Sequence, residues 1–317
     1  MTRRLHVVAY HYVRDLPNTP FPRIKGMLTH DFRAQVLALQ RRYEMATLET
    51  ALAFLQGTYE PSRDLCLLTF DDGLKEHGAE VTPFLAEQGI QGLFFVITGC
   101  LEERRVAPVH MSHFLMASLG FARYRTLFME RLDHVRPGSA FHETVEPVLA
   151  TATYRWDPPE VAVFKYLVNF RLDWETRDSI VQSLFVDHVS PEASFAESLY
   201  VSWAEARDMQ RLGMIVGGHS HRHKPLGLLS QATLEDDLGA CRDLLVSRLG
   251  APAGWPFCYP YGNADAFNDD VIATLQRLGF VCAFTTSAGA NDRGAPAFAL
   301  RRVDCNDVDS TDGTMRP

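Results

Sequence analysis

The sequence predicts an α/β fold built on a mostly parallel sheet, arranged as a closed (β/α) barrel or as a doubly wound sheet. Strand-like apolar segments alternate with amphipathic segments of helical period along most of the 317 residues. Several of the strand segments are apolar throughout, which is typical of strands covered on both faces. Hydrophobic residues make up 46% of the chain, enough for a sizeable core.

The elements follow in order. Strand segments are expected, in chain order, at residues 5–11, 64–71, 92–98, 214–220, 255–262, 280–286 and 298–304. Helical segments separate them at residues 29–43, 76–89, 202–213, 234–250 and 269–279. Thr29 is a candidate N-cap. Ser202 and Glu205 form a capping box, and Gly213 fits the end of that helix.

Residues 101–200 interrupt this alternation. Helical patterns run through residues 112–132 and 160–170, and the segment is rich in aromatic side chains but has no clear strand. We therefore interpret residues 1–317 as one domain that contains a helical insertion at 101–200.

Composition excludes several classes of function. The formal net charge of −8 argues against nucleic-acid binding, which usually requires a basic surface. No run of 18 apolar residues occurs, so no membrane span is expected. The N-terminal segment is short, contains His6 and His11, and is interpreted as a first strand instead of a signal peptide, which predicts a cytoplasmic protein. The composition does not indicate an oligomeric state.

Two adjacent carboxylates end one of the buried strand segments, in the sequence TFDDG (residues 69–73). Asp71 and Asp72 would repel each other there, and each would lose hydration. A bound cation would offset both effects.

Three histidines follow a later strand segment, in the sequence GGHSHRH (residues 217–223). His219 and His223 are four positions apart, a spacing that directs both imidazoles to one side on a helical turn. His221 would point elsewhere. Two imidazoles and one carboxylate form a metal site that leaves positions open for water and substrate.

These pieces predict a hydrolytic centre. One aspartate of the doublet would bind the metal, and the other would act as a base beside the activated water. A third strand segment ends in YPYG (residues 259–262), a rigid turn whose backbone N–H groups could stabilise an oxyanion. All three motifs lie where predicted strands end, which is where active sites of parallel α/β folds are found.

The chain resembles the NodB-type polysaccharide deacetylases of carbohydrate esterase family four. The resemblance rests on TFDDG, on His219-Ser220-His221-Arg222-His223 as H-S-x-x-H, and on the P-Y-G of FCYPYG. It covers roughly residues 1–100 and 200–305 and implies a distorted (β/α) barrel, usually of seven strands. It also implies that Asp71 is the base, that the backbone N–H of Tyr261 binds the oxyanion, and that Asp72, His219 and His223 bind the metal.

The resemblance further implies hydrolysis of an acyl group, usually acetyl, from a sugar. The metal would be a divalent ion, with Zn²⁺ the first choice and Fe²⁺, Co²⁺, Ni²⁺ or Mn²⁺ as others. Together with a cytoplasmic location, it predicts an N-acylated amino-sugar substrate, nucleotide- or lipid-linked, in surface-polysaccharide biosynthesis.

The sequence departs from the family pattern at three places. Many members have arginine at the position of Cys258, where it tunes the base. The family's later D-x-x-D-W-type motif is not visible, and FTTSAGAN (residues 284–291) stands near its place. The family's general-acid histidine segment is replaced by LRRVD (residues 300–304). The proton donor could therefore be His11, Asp304 or the protonated Asp71. We expect one of Arg301 and Arg302 to pair with a carboxylate at the core edge and the other to be solvated.

These departures keep two other functions open. One is removal of a formyl group or another non-peptide C–N hydrolysis at the same centre. The other is a non-catalytic carbohydrate-binding protein that retains the metal site.

Overall fold

The structure is a computed structural model that describes residues 3–137, 145–251, 254–263 and 266–316. Two compact units are present. The first comprises Met1–Asp15, Lys25–Glu103 and Glu197–Pro317, and the second comprises Leu16–Ile24 and Arg104–Ala196. Residues 138–144 of the predicted 101–200 insertion lie outside the described residues.

The first unit is a closed barrel of seven parallel strands surrounded by helices. The strands are β1 (Leu5–Tyr10), β2 (Leu65–Phe70), β3 (Gly92–Val96), β4 (Ile215–Gly218), β5 (Trp255–Cys258), β6 (Phe280–Ala288) and β7 (Leu300–Asp304). They are arranged in sequence order, and β1 closes the ring by pairing with both β2 and β7. A two-residue strand, Glu44–Met45, adds to β2 outside this ring. The predicted (β/α) barrel is confirmed.

Helices connect the strands on the outside. They are α1 (Thr29–Arg42), α2 (Leu48–Leu55), α3 (Thr82–Glu87), α4 (Thr98–Glu103), α5 (Trp203–Arg211), α6 (Gln231–Leu249) and α7 (Asp269–Arg277). A π-helical turn, His77–Val81, precedes α3. A short parallel pair, Val13–Arg14 with Met27–Leu28, lies between β1 and α1.

Two helix starts test the capping predictions. The capping box of Ser202 and Glu205 is present at the start of α5. The N-cap prediction for Thr29 is wrong, because Thr29 is the first helical residue and Leu28 occupies the cap position without a side-chain bond. A short strand pairs Leu28 with Arg14, and this pairing fixes where the helix begins.

Successive residues of each strand face opposite sides of the barrel wall. One set is buried together with α2 and includes Leu5, Val7, Leu65, Leu67 and Leu300. The alternate set packs beneath the outer helices and includes Val8, Leu68, Phe94 and Val303. Position along a strand therefore decides whether a side chain points inward or towards the helices.

The described residues of the second unit form helices joined by loops, with no strand among them. Its α-helices are Pro108–Leu119, Phe121–Val135, Pro147–Thr153, Pro159–Tyr166 and Trp174–His188, and a π-helical turn covers Leu167–Arg171. Aromatic rings form much of its core: Phe164 contacts the rings of Tyr124 and Phe128 at centroid distances of 5.7 and 5.4 Å. A further helix covers Glu192–Leu199.

Among the described residues, no helix has both the length and the apolar character that a membrane crossing requires.

Candidate metal centre and active site

The carboxyl ends of the strands carry the three predicted motifs. Asp72 follows β2, and His219 and His223 follow β4. Oδ1 of Asp72 lies 3.5 Å from Nε2 of His219 and 3.5 Å from Nε2 of His223. All three side chains are buried, and their candidate ligand atoms lie within 4.8 Å of one another. The structure therefore brings the predicted ligand set together.

This set fits a divalent cation. Two ligand atoms bound tetrahedrally at about 2.1 Å lie about 3.4 Å apart, close to the spacing between Asp72 and each imidazole. Nδ1 of His219 donates a hydrogen bond to the carbonyl oxygen of Cys258 at 2.7 Å. This bond leaves the Nε2 lone pair directed at Asp72, and such a second partner is typical of metal-binding histidines.

The segment from His219 to His223 is not a helical turn, contrary to the spacing argument. It is a loop in which Ser220 and His223 have positive φ angles of 61° and 51°. The Ser220 hydroxyl oxygen accepts the His223 N–H at 2.9 Å. The two imidazoles converge because the loop reverses direction.

Two helices hold this loop. On one side, the first N–H groups of α4 donate to it: Thr98 to the carbonyl of Ser220 at 3.1 Å and Gly99 to that of His221 at 3.0 Å. On the other side, the Asp237 carboxylate on α6 accepts the N–H groups of His221 and Arg222 at 2.9 and 3.0 Å. Burial raises the pKa of Asp237, and these hydrogen bonds oppose that effect.

The middle histidine does not join the metal set. Nδ1 of His221 lies 3.1 Å from the Thr98 hydroxyl, and its Nε2 lies 3.1 Å from the Glu103 carboxylate. A Cβ added at Gly99 would lie 2.4 Å from the His221 carbonyl oxygen, so only glycine permits this close approach.

The other aspartate of the doublet forms a buried ion pair. Two guanidinium nitrogens of Arg302, on β7, donate to the two carboxylate oxygens of Asp71 at 2.8 and 2.7 Å. Both side chains are 2% exposed. Arg301 is exposed, so the predicted division of roles between the two arginines is confirmed. Asp71 continues the inward-facing series of Leu65 and Leu67, and Arg302 that of Leu300, which is why they meet inside the barrel.

This pair controls the charge of Asp71. Burial alone would raise the pKa of Asp71, but Arg302 and, to a smaller extent, His11 outweigh it and lower the pKa to about 2. The carboxylate is therefore ionised at neutral pH although it is buried. The guanidinium beside Asp71 therefore comes from Arg302 on the last strand, and Cys258 stands where the resemblance led us to expect an arginine.

His11 follows β1 and also faces Asp71. Its Nε2 lies 3.6 Å from Oδ2 of Asp71, and its side chain is 49% exposed. Asp304 is engaged elsewhere, since its carboxylate accepts the backbone and side-chain N–H groups of Asn306 at 2.9 and 2.8 Å. Among the three candidate proton donors, His11 therefore lies beside Asp71, which is itself the third candidate, whereas the Asp304 carboxylate is bonded to Asn306.

The YPYG turn borders the same centre. Tyr261 has a φ of 64°, and its ring centroid is 5.1 Å from that of His223. The Thr286 hydroxyl donates to the Tyr261 carbonyl at 3.1 Å, and the Thr286 N–H donates to that of Gly262 at 3.0 Å. Asp72 also has a positive φ, 78°, so unfavourable backbone conformations cluster at this site, as they often do at functional sites.

Sequence reasoning missed four contributors to this arrangement: Thr98, Gly99, Asp237 and the specific pairing of Arg302. The one available signal was the strand alternation in LRRVD, in which Arg302 shares the inward face of Leu300.

Comparison with protein families matches residues 178–283 to polysaccharide deacetylase. This match covers about a third of the 317 residues and shows that the segment is similar to that family. The matched segment contains the His219–His223 loop and the YPYG turn, and TFDDG lies before it. The match supports a hydrolase of the carbohydrate deacetylase class. Comparison with curated proteins gave no match.

Solved structures with this fold cover nearly the whole chain. The Streptococcus pyogenes deacetylase PplD, in complex with acetate, matches with a TM-score of 0.61 at 15% identity, covering 100% of each chain. IcaB from Ammonifex degensii matches with a TM-score of 0.57 at 20% identity, covering 95% of this chain and 91% of its own. A de-N-acetylase from Aggregatibacter actinomycetemcomitans has a TM-score of 0.57 at 14% identity, with 97% and 98% covered. At these identities the likeness shows the fold.

Proposed function

We propose that this protein is a polysaccharide deacetylase family member and a metal-dependent hydrolase that removes an N-acyl group, acetyl in the first instance, from an amino sugar. The observation that carries the proposal is the convergence of Asp72, His219 and His223 beside the ion pair of Asp71 and Arg302. That arrangement supports a cation site beside a carboxylate that stays ionised at neutral pH.

Asp72, His219 and His223 would hold the cation. When bound, the cation supplies Lewis-acid activation of water and of the acyl carbonyl. One carboxylate and two imidazoles suit Zn²⁺, and Fe²⁺, Co²⁺, Ni²⁺ and Mn²⁺ accept similar ligands.

The remaining steps belong to other residues of the chain. The Asp71 carboxylate accepts the proton of the attacking water, and Arg302 keeps that carboxylate oriented by its two hydrogen bonds. The backbone N–H of Tyr261 donates to the oxyanion that develops on the acyl oxygen. The His11 imidazole then gives a proton to the leaving amine, which would otherwise be a poor leaving group.

The substrate class follows from the family and its neighbours. The family acts on polysaccharides, and one structural neighbour is a de-N-acetylase. Nucleotide- and lipid-linked N-acyl amino sugars of surface-polysaccharide biosynthesis are the first substrates to test. The cytoplasmic location expected from the sequence stays a prediction.

Metal analysis and turnover together test the assignment. Asp72→Ala and His223→Ala are expected to lose bound metal, whereas Asp71→Asn is expected to keep the metal and lose turnover. Full metal occupancy in His223→Ala would contradict the ligand assignment.

A product assay separates the candidate reactions. Metal-loaded protein is incubated with N-acetyl and N-formyl amino sugars, and released acetate and formate are quantified. Acetate release supports the proposal, formate release alone would assign a deformylase, and binding of the sugars without release of either acid would assign a non-catalytic carbohydrate-binding protein.

A further inference from the structure

His77 is a buried histidine that the reaction above does not use. It begins the π-helical turn after TFDDG and has no exposed surface. Its Nδ1 accepts the Leu74 N–H at 3.2 Å, and its Nε2 lies 2.9 Å from the carbonyl oxygen of His11. Because a carbonyl oxygen only accepts, the His77 proton is on Nε2 and both ring nitrogens are satisfied in the neutral form.

These two bonds join the loops that carry the two proton-transfer groups. Leu74 belongs to the loop after β2, which begins with Asp71, and His11 begins the loop after β1. The imidazole of His77 therefore bridges the backbones on either side of the 3.6 Å contact between Asp71 and His11.

The bridging ring is itself fixed by packing. Its centroid lies 5.6 Å from the ring of Phe70 on β2 and 5.6 Å from that of Phe94 on β3. Both phenyl rings are fully buried. A ring held in this way cannot follow a shift of the His11 loop, so the bond to the His11 carbonyl restrains that loop relative to the barrel wall.

The His11 side chain needs such a restraint. Its imidazole is 49% exposed, so packing fixes it less than it fixes the buried Asp71. Proton transfer requires placement to within about 0.5 Å. A second tether between the same loops, the ion pair of Arg14 and Glu76 at 2.6 and 3.0 Å, limits larger movements.

We propose that His77 is a positioning residue that holds His11 in place for proton transfer to the leaving amine. The inference rests on the proposed function, in which His11 is the proton donor. His77 touches no reacting atom and acts through the backbone of His11.

Three substitutions separate the two bonds. His77→Phe retains a ring of similar volume and removes both bonds. His77→Asn retains an acceptor near the position of Nδ1 and removes the donor to His11. His77→Gln places an amide N–H near the position of Nε2 and is the rescue variant.

Two substrates give the readout. An N-acetylglucosamine oligomer has an amine leaving group that must be protonated, whereas p-nitrophenyl acetate releases a phenolate that needs no proton. In His77→Phe and His77→Asn, kcat for the oligomer is expected to fall on the order of 100-fold while ester turnover stays near the wild-type level. His77→Gln is expected to recover most of the loss.

His11→Ala and its double variant with His77→Phe complete the test. Both changes impair the same proton transfer from His11. The double variant is therefore expected to be no slower on the oligomer than His11→Ala alone. The visible spectrum of each Co²⁺-loaded variant is expected to match that of the wild-type protein. A matching spectrum would show that the metal centre is intact.

Three results would overturn the inference. Equal loss of amide and ester turnover in both His77→Phe and His77→Asn would indicate general damage to the site. An additive loss in the double variant would show that His77 acts independently of His11. Wild-type protein that cleaves no acetylated sugar would refute the proposed function itself, whereas active wild type with unselective variants refutes only the role of His77.

Discussion

Replacing Arg302 by methionine is expected to destabilise the barrel unit strongly. The Arg302 guanidinium and the Asp71 carboxylate are each 2% exposed and share two short hydrogen bonds. Methionine retains much of the side-chain volume but has no charge. Arg302→Met therefore leaves a buried carboxylate without its guanidinium.

The expected loss is about 3–5 kcal/mol in the free energy of unfolding, the usual effect of breaking a buried pair from one side. The lowered pKa of Asp71, about 2 against an ordinary 3.8, agrees in direction, since it shows that the folded protein favours the ionised carboxylate. Because the folded-state pKa is depressed, this contribution is present above the ordinary value and is lost as the pH falls towards 2. Measurement at pH 7 therefore records all of it.

The assay is urea unfolding of the metal-free protein at pH 7, so that metal binding does not contribute. Arg301→Met is the matched control, because Arg301 is the exposed neighbour and is expected to change stability by about 0.5 kcal/mol or less. The double variant Arg302→Met with Asp71→Asn is expected to recover much of the loss, since a neutral amide replaces the unpaired charge. A loss in Arg302→Met no larger than in Arg301→Met would refute the buried pair.

Three further predictions concern the loop support and the helix caps. Gly99→Ala is expected to weaken metal affinity at least about tenfold, because the added Cβ would collide with the His221 carbonyl oxygen. Gly239→Ala is the control, since its Cβ would meet nothing within 4 Å. This control is expected to stabilise α6 by about 1 kcal/mol without altering metal affinity. Asp237→Ala removes the acceptor of two loop N–H groups, and chelator competition is expected to show about 10- to 100-fold weaker metal binding; unchanged affinity would show that the loop holds its shape alone. Ser202→Ala removes the capping bond of α5 and is expected to lower stability by about 1 kcal/mol in thermal unfolding, with turnover unchanged.

Local pattern was enough to place the chemistry on the fold. TFDDG, HSHRH and YPYG each follow an apolar strand segment, and the carboxyl ends of parallel strands lie at one end of a barrel. The meeting of one aspartate of the doublet with the two outer histidines could therefore be expected before any coordinates, and the family resemblance implied that this aspartate is Asp72. The local conformation of the loop could not, because a four-residue spacing suits both a helical turn and the reversed loop that is present.

The sequence by itself determined the alternation of strands and helices, the strand ends that carry the polar motifs, and the residue types that converge there, since all three follow from periodicity and from motifs contiguous in the chain. Only the tertiary structure decided which arginine neutralises Asp71, which helices support the histidine loop, and that His77 joins the loops after β1 and β2. Those contacts link residues up to 231 positions apart, between Asp71 and Arg302. Their formation depends on barrel closure and on the inward or outward direction of each side chain, which no short stretch of sequence specifies.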